Sequence, residues 1–195
     1  MFQYIVFLGA LAQAIGIYCY IKETIKGNTQ PNKVSWLLWS IAPLIAAVAS
    51  FADGARLSVV PVFMAGFGPL VVFVASFINP KSYWKLEKFD YMCGLFSLLA
   101  LVFWGITKTP AVAIIFAIVS DILASLPTFI KSWRHPESET ITPYYTGIFC
   151  YLTSFFAIKF WVFSEIAFPI YLVIASGLFV FALLRHKFVQ KIKIL

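Results

Sequence analysis

Seven apolar stretches of about twenty residues, at 2–22, 34–52, 57–78, 89–107, 110–132, 141–162 and 165–185, take up most of this 195-residue chain. Helical residues rise about 1.5 Å each, so roughly twenty of them match the ~30 Å hydrocarbon core of a bilayer. Each stretch therefore reads as a transmembrane helix, and the whole as an all-α polytopic membrane protein. Only 12% of the residues are charged and 62% are hydrophobic, whereas a soluble domain carries about a quarter charged residues. A chain like this has too little polar surface to face water, so membrane lipid is its solvent. The opening MFQYIVFLGALAQAIG has no Lys or Arg ahead of its apolar run. It lacks the basic start of a signal peptide and reads as a retained span.

The net charge of +7 suggests nucleic acid until the charges are placed. Lys22, Lys26, Lys33, Lys81, Lys85, Lys88, Lys131, Arg134, Arg185, Lys187, Lys191 and Lys193 fall on one side of the seven spans. Arg56, Lys108 and Lys159 fall on the other. Twelve against three marks the first side as cytoplasmic, with the N-terminus outside and the C-terminus inside the cell membrane. The basic balance is thus a topology signal, and no nucleic-acid partner is needed to explain it. Trp36, Trp84 and Trp133 near the inner ends, with Trp104 and Trp161 near the outer ends, suit an aromatic belt. Cys19, Cys93 and Cys150 lie inside apolar runs without CxxC spacing, which argues for small buried hydrophobes rather than a metal site or disulfides. His135 and His186 sit in basic segments at span ends. No catalytic motif appears. The chain reads as a non-enzyme with no cofactor, and a retinal protein is excluded because the seventh span has no lysine.

Shifting the sequence by 109 residues lays spans one to three over spans five to seven. Identities are few, among them Ile5/Ile114, Lys22/Lys131 and Gly68/Gly177, but three spans and two loops match in length almost without gaps. Three spans end on the opposite face from where they began, so an extra span is needed to keep two such units parallel. The expected organisation is a first repeat at 1–78, a loop and linker helix at 79–109, a second repeat at 110–187 and a basic tail at 188–195. Parallel repeats of this kind are a transporter plan with a midplane site between the halves.

"PTFIKSWRHPESETIT" (127–142) resembles the PQ-loop motif, a proline near the inner end of a helix followed by a short basic loop and a Ser/Thr-rich helix start. "YIKETIKGNTQPNKVSWLLW" (20–39) keeps the loop and helix start, with Tyr18 where the proline belongs. The three-one-three plan, N-out and C-in, is similar to that of SWEET-type sugar facilitators, and PnuC-type vitamin transporters and the KDEL receptor share it. The resemblance implies a small-solute transporter, a facilitator or a proton-coupled carrier, or, on the same scaffold, a ligand-binding receptor or a structural membrane subunit. Thr128 replaces the motif's glutamine. The only asparagines, Asn28, Asn32 and Asn79, lie in the basic loops, so the asparagines that contact sugar in SWEETs have no counterpart.

The stretch IVSDILASLPTFIKSW carries the residues most expected to act. Asp121, Ser125, Thr128 and Ser132 follow helical spacing and make one polar stripe. Asp121 lies near the midplane, where an Asp costs about 2.5–3.5 kcal/mol on insertion scales and so faces protein or water. It is expected to turn into a cavity between the halves beside Gln13, Ser125 and Thr128, where a solute or a proton arrives. The alternative is a structural tie between helices. Trp36 with Trp39, and Tyr144, Tyr145 and Tyr151, are candidates to stack on a ring-bearing solute, against the commoner packing role. Pro127, Pro43 and Gly68, with Pro61, Pro69 and Gly66, are candidate hinges. Asp53 and Arg56 suggest a surface ion pair, and Asp90 a helix N-cap.

Overall fold

The computed structural model describes residues 2–82, 84–107 and 109–192. Among them the chain forms seven α-helices: α1 (Ile5–Lys26), α2 (Lys33–Ala52), α3 (Val59–Ala75), α4 (Lys88–Thr107), α5 (Pro110–Arg134), α6 (Thr142–Thr153) and α7 (Phe163–Ile192). No strand occurs among the described residues. Four helical stretches, Phe2–Lys26, Lys33–Ala52, Ala111–Arg134 and Phe163–Arg185, are long and apolar enough to cross a membrane, and Val59–Ala75 is a shorter apolar helix. Of the expected belt and topology residues, the side chains of Trp104, Lys187 and Lys191, with Lys108 and Lys193, lie outside the described structure.

Local chemistry sets several helix ends. Gly27 takes a left-handed φ of 88° after α1, and its N–H bonds back to the Glu23 and Thr24 carbonyls, a conformation other residues adopt at a cost. The Asn32 side chain accepts from the Val34 and Ser35 N–H groups and caps α2. Asp90 was expected as the N-cap of the fourth span. It sits instead in the first turn of α4, and its carboxylate reaches back to the Glu87 N–H at 2.5 Å, as the third helical residue of a capping box does. Its other oxygen accepts from Asn32 Nδ2 at 2.9 Å, which ties α4 to the start of α2.

The packing follows from which helices meet. α2 packs on α3 and α5, α1 on α6 and α3, and α7 on α6 and α5. α4 lies against α5 and, less, α2. Small residues bring α1 against α6: a Cβ built on Gly16 would lie 2.0 Å from Thr146 Oγ1. The same seam carries a hydrogen bond from Thr142 Oγ1 to the Gly16 carbonyl, 3.2 Å. Across the molecule Ser35 Oγ on α2 donates to the Ala124 carbonyl on α5, 2.6 Å. The buried core has two parts. One, away from the basic end, is rich in small residues such as Ala42, Ala46, Ala65 and Ala117. The other, toward the basic end, is aromatic, with Tyr20, Trp36, Trp39, Tyr144 and Phe179. Outward, α1 shows Phe7, Leu11, Ile15 and Tyr18, and α7 shows Ile170, Ile174, Leu178 and Phe181. An exterior this apolar suits lipid and would drive aggregation in water.

Three expectations need correction. The sixth stretch, taken as a helix over 141–162, is helical only from Thr142 to Thr153, with a 3-10 turn at Ser154–Phe156. There the Thr153 hydroxyl bonds its own helix at the Cys150 carbonyl, 2.5 Å, and the following apolar residues run on without helix. Arg56 donates to the Phe51 and Ala55 carbonyls and stacks on the Phe51 ring at 4.8 Å rather than pairing with Asp53. α7 continues to Ile192, through the point where the basic tail was to begin.

Candidate functional site: a cavity around a buried carboxylate

A cavity opens in the middle of the bundle between α1, α2, α3, α5, α6 and α7, leaving out only α4 of the seven helices. Its volume is about 60 Å³, the share of about two waters in the liquid. Asp121 and Ser125 enter it from α5, Gln13 from α1, Trp36 and Trp39 from α2, and Tyr144 and Tyr151 from α6. Asp121 is 4% exposed. Its Oδ2 accepts from the Tyr171 hydroxyl on α7 at 2.6 Å. Ser125 Oγ donates to the Asp121 carbonyl (2.7 Å) and accepts from the Trp39 indole N–H (3.0 Å). The indole is thereby fixed against α5. Gln13 Oε1 lies 2.9 Å from the Thr146 hydroxyl, which also reaches the Thr142 carbonyl at 2.8 Å.

Of the residues singled out in the sequence, Asp121, Gln13, Ser125, Trp36 and Pro43 meet at this cavity. Gln13 and Asp121 face the same space, but the carboxylate's partner is Tyr171. Thr128 does not line it: the residue is fully buried below, and its hydroxyl, like that of Ser132, has no hydrogen-bond partner. The polar stripe leaves the cavity after Ser125 because the same helix face next meets packed neighbours. Tyr145 turns away from the cavity and is 50% exposed on the bundle surface, while Tyr144 and Tyr151, one and six positions away, line the interior. Pro127 sits at a separate polar pocket with Trp84, Lys131 and Arg134. Gly68 packs where a Cβ would meet the Ile17 side chain at 2.8 Å, so its first role is contact between α3 and α1. α2, α3 and α5 each run unbroken through Pro43, Pro69 and Pro127.

Directly below the cavity, toward the basic end, is a cluster that sequence reasoning did not find. Lys131 Nζ pairs with Glu139 Oε1 at 2.6 Å, and the two side chains are 1% and 0% exposed. Glu139 Oε2 accepts from the hydroxyls of Tyr20 (2.8 Å) and Tyr144 (3.5 Å). Lys131 also donates to the Gln30 carbonyl and lies 4.8 Å from the centre of the Trp84 ring. Nearby, Gln30 N–H bonds the Ser138 carbonyl and Thr29 meets Thr140 hydroxyl to hydroxyl at 2.5 Å. The loop between α1 and α2 is thus joined to the loop between α5 and α6. At the opposite end Ser50 donates to the Ser164 carbonyl and Ser58 to Glu165 Oε2, tying the α2–α3 turn to the start of α7. Compared with known proteins, the chain matches no protein-family model, no curated protein and no solved structure.

Proposed function

We propose that this protein is a small-solute membrane transporter, a facilitator or a proton-coupled carrier, built as two parallel three-helix units joined by a linker helix. One observation carries the reading. Six helices converge on a cavity that holds a buried carboxylate, while α4 stays outside it. The packing supports the repeat: exchanging α1, α2 and α3 for α5, α6 and α7 turns the α1–α6 contact into the α5–α2 contact. The interhelix bonds from Ser35 to Ala124 and from Thr142 to Gly16 exchange in the same way, within two residues of the 109-residue shift. Such a plan puts a solute site near the midplane between the units. All seven helices then cross the bilayer, α6 as a broken helix completed by the 3-10 turn and the coil to Phe163. Non-helical backbone is tolerated at membrane depth where it lies against protein, and here Lys159 N–H reaches Glu165 Oε2 at 3.4 Å.

In this orientation the Lys131–Glu139 cluster closes the cytoplasmic side of the cavity. Solute passage requires that cluster to open, and Asp121 is where a proton or the solute is exchanged. Protein reconstituted into liposomes should take up solute, with a pH dependence that Asp121→Asn removes while the variant remains folded. Saturable binding without flux would make the protein a receptor on this scaffold instead. A reporter fused after Leu195 should be cytoplasmic and one at Gly54 external; the reverse pattern overturns the orientation.

A further inference from the structure

We propose that the solute of the central cavity is a compact organic cation, a quaternary ammonium or an N-alkylated ring, held by the Asp121 carboxylate inside an aromatic box. This rests on the transport reading for its setting, although the recognition chemistry stands on the cavity itself. The cavity contains one carboxylate, and among the described residues no Lys, Arg or His lines it. Its walls are aromatic and meet at right angles. Trp36 and Trp39 lie 5.2 Å apart with their planes at 82°, and Trp39 and Phe179 lie 5.5 Å apart at 87°. Tyr144 stacks on Phe179 at 4.6 Å and 9°, thickening that wall. Trp36, Trp39, Tyr144 and Phe179 all line the cavity. Ring faces carry the negative end of the aromatic quadrupole and attract cations, Trp most strongly.

Other solute classes fit less well. A polyol needs many free donors and acceptors, but the Ser125 hydroxyl is spent on Asp121 and Trp39, which leaves the unpaired Trp36 indole N–H and the Gln13 amide as the main polar groups besides Asp121. An anion would meet a carboxylate with no basic group to offset it. A neutral apolar solute would displace water from Asp121 and leave its charge unpaired, which is costly in a dry site. Apart from a proton, only a cationic solute supplies the missing counter-charge. It also explains why a carboxylate without a basic neighbour is held in this space.

The test uses the full chain in lipid nanodiscs and three probes, tetramethylammonium, choline and N-methylpyridinium, with binding read by calorimetry and by quenching of tryptophan fluorescence. The uncharged tert-butyl isostere of choline is the control. Choline should bind about tenfold or more tightly than its isostere. Asp121→Asn should remove that preference, and Trp39→Leu should weaken all three cations while leaving the isostere unchanged. The inference is overturned if the isostere binds as well as choline, if Asp121→Asn keeps the preference, or if none of the three cations binds more tightly than about 10 mM. Uptake by proteoliposomes separates the two readings. Cation-selective binding without uptake defeats transport and keeps the cation site, whereas uptake of neutral solutes with no cation preference does the opposite.

Discussion

Glu139 and Asp121 are both buried, at 9% and 4% exposure taken as whole residues, and each takes a 2.6 Å contact. For Glu139 that contact is a lysine, with tyrosine hydroxyls on the second oxygen. For Asp121 it is a tyrosine hydroxyl, with the cavity beside it. The first carboxylate is saturated by the protein itself and belongs to the closure of the basic end. The second is oriented but has no counter-charge, which is what the proposed solute site requires. Burial alone therefore does not distinguish the two carboxylates; the completeness of their surroundings does.

The contrast can be broken most forcefully at Lys131. Removing one partner of a buried pair strands the other, so Lys131→Ala should cost about 3–5 kcal/mol, read as a fall in the unfolding midpoint in detergent. Lys131→Met combined with Glu139→Gln should recover most of that loss. An unchanged midpoint for Lys131→Ala would erase the distinction between the two carboxylates. Next in size is Gly16→Val, which presses α1 off α6 and separates Tyr20 from Tyr144 around Glu139. Overpacking of this kind costs about 1–3 kcal/mol, and crosslinking between α1 and α6 should fall with it. Tyr171→Phe removes the donor to Asp121 and should lower stability by about 1 kcal/mol in the same unfolding assay. The smallest effect on stability belongs to Asp121→Asn, within about 1 kcal/mol, because the amide oxygen still accepts from Tyr171. That variant should melt like the parent protein while losing its response to ligand and pH. A large loss of stability instead would make Asp121 a structural tie like Glu139.

Much of the helical framework was legible because hydropathy and capping agree. The second, fourth and fifth stretches, at 34–52, 89–107 and 110–132, end within two residues of α2, α4 and α5. The sixth failed because hydropathy cannot separate an apolar helix from apolar coil, and AIKFWV continues the apolar run after the helix has stopped. Asp121 stood out as a charge in a greasy helix. Tyr171 did not, since a tyrosine in an apolar span looks like packing and lies fifty positions away from its partner. Lys131 was sorted only to one side of the membrane, which says nothing of depth, and Glu139 carried no signal of its own in the sequence. The helix period placed Thr128 on the face of Asp121 correctly, but a shared face does not mean a shared surrounding. Tyr145 shows the opposite case, adjacent in sequence to a cavity residue and turned away from it.

The contact of α1 with α6, closed by Gly16 and Thr146, also bears on how the chain is made. Translation adds roughly 5–20 residues per second, so α6 emerges several seconds or more after α1 has left the ribosome. Through that interval Gln13 and Gly16 have no permanent neighbour on α6. The early half must wait, unfinished, for a partner not yet synthesised. Here the nascent chain is most exposed to quality control, and a slowed codon run between α3 and α6 should lower the yield of folded protein without changing a single residue.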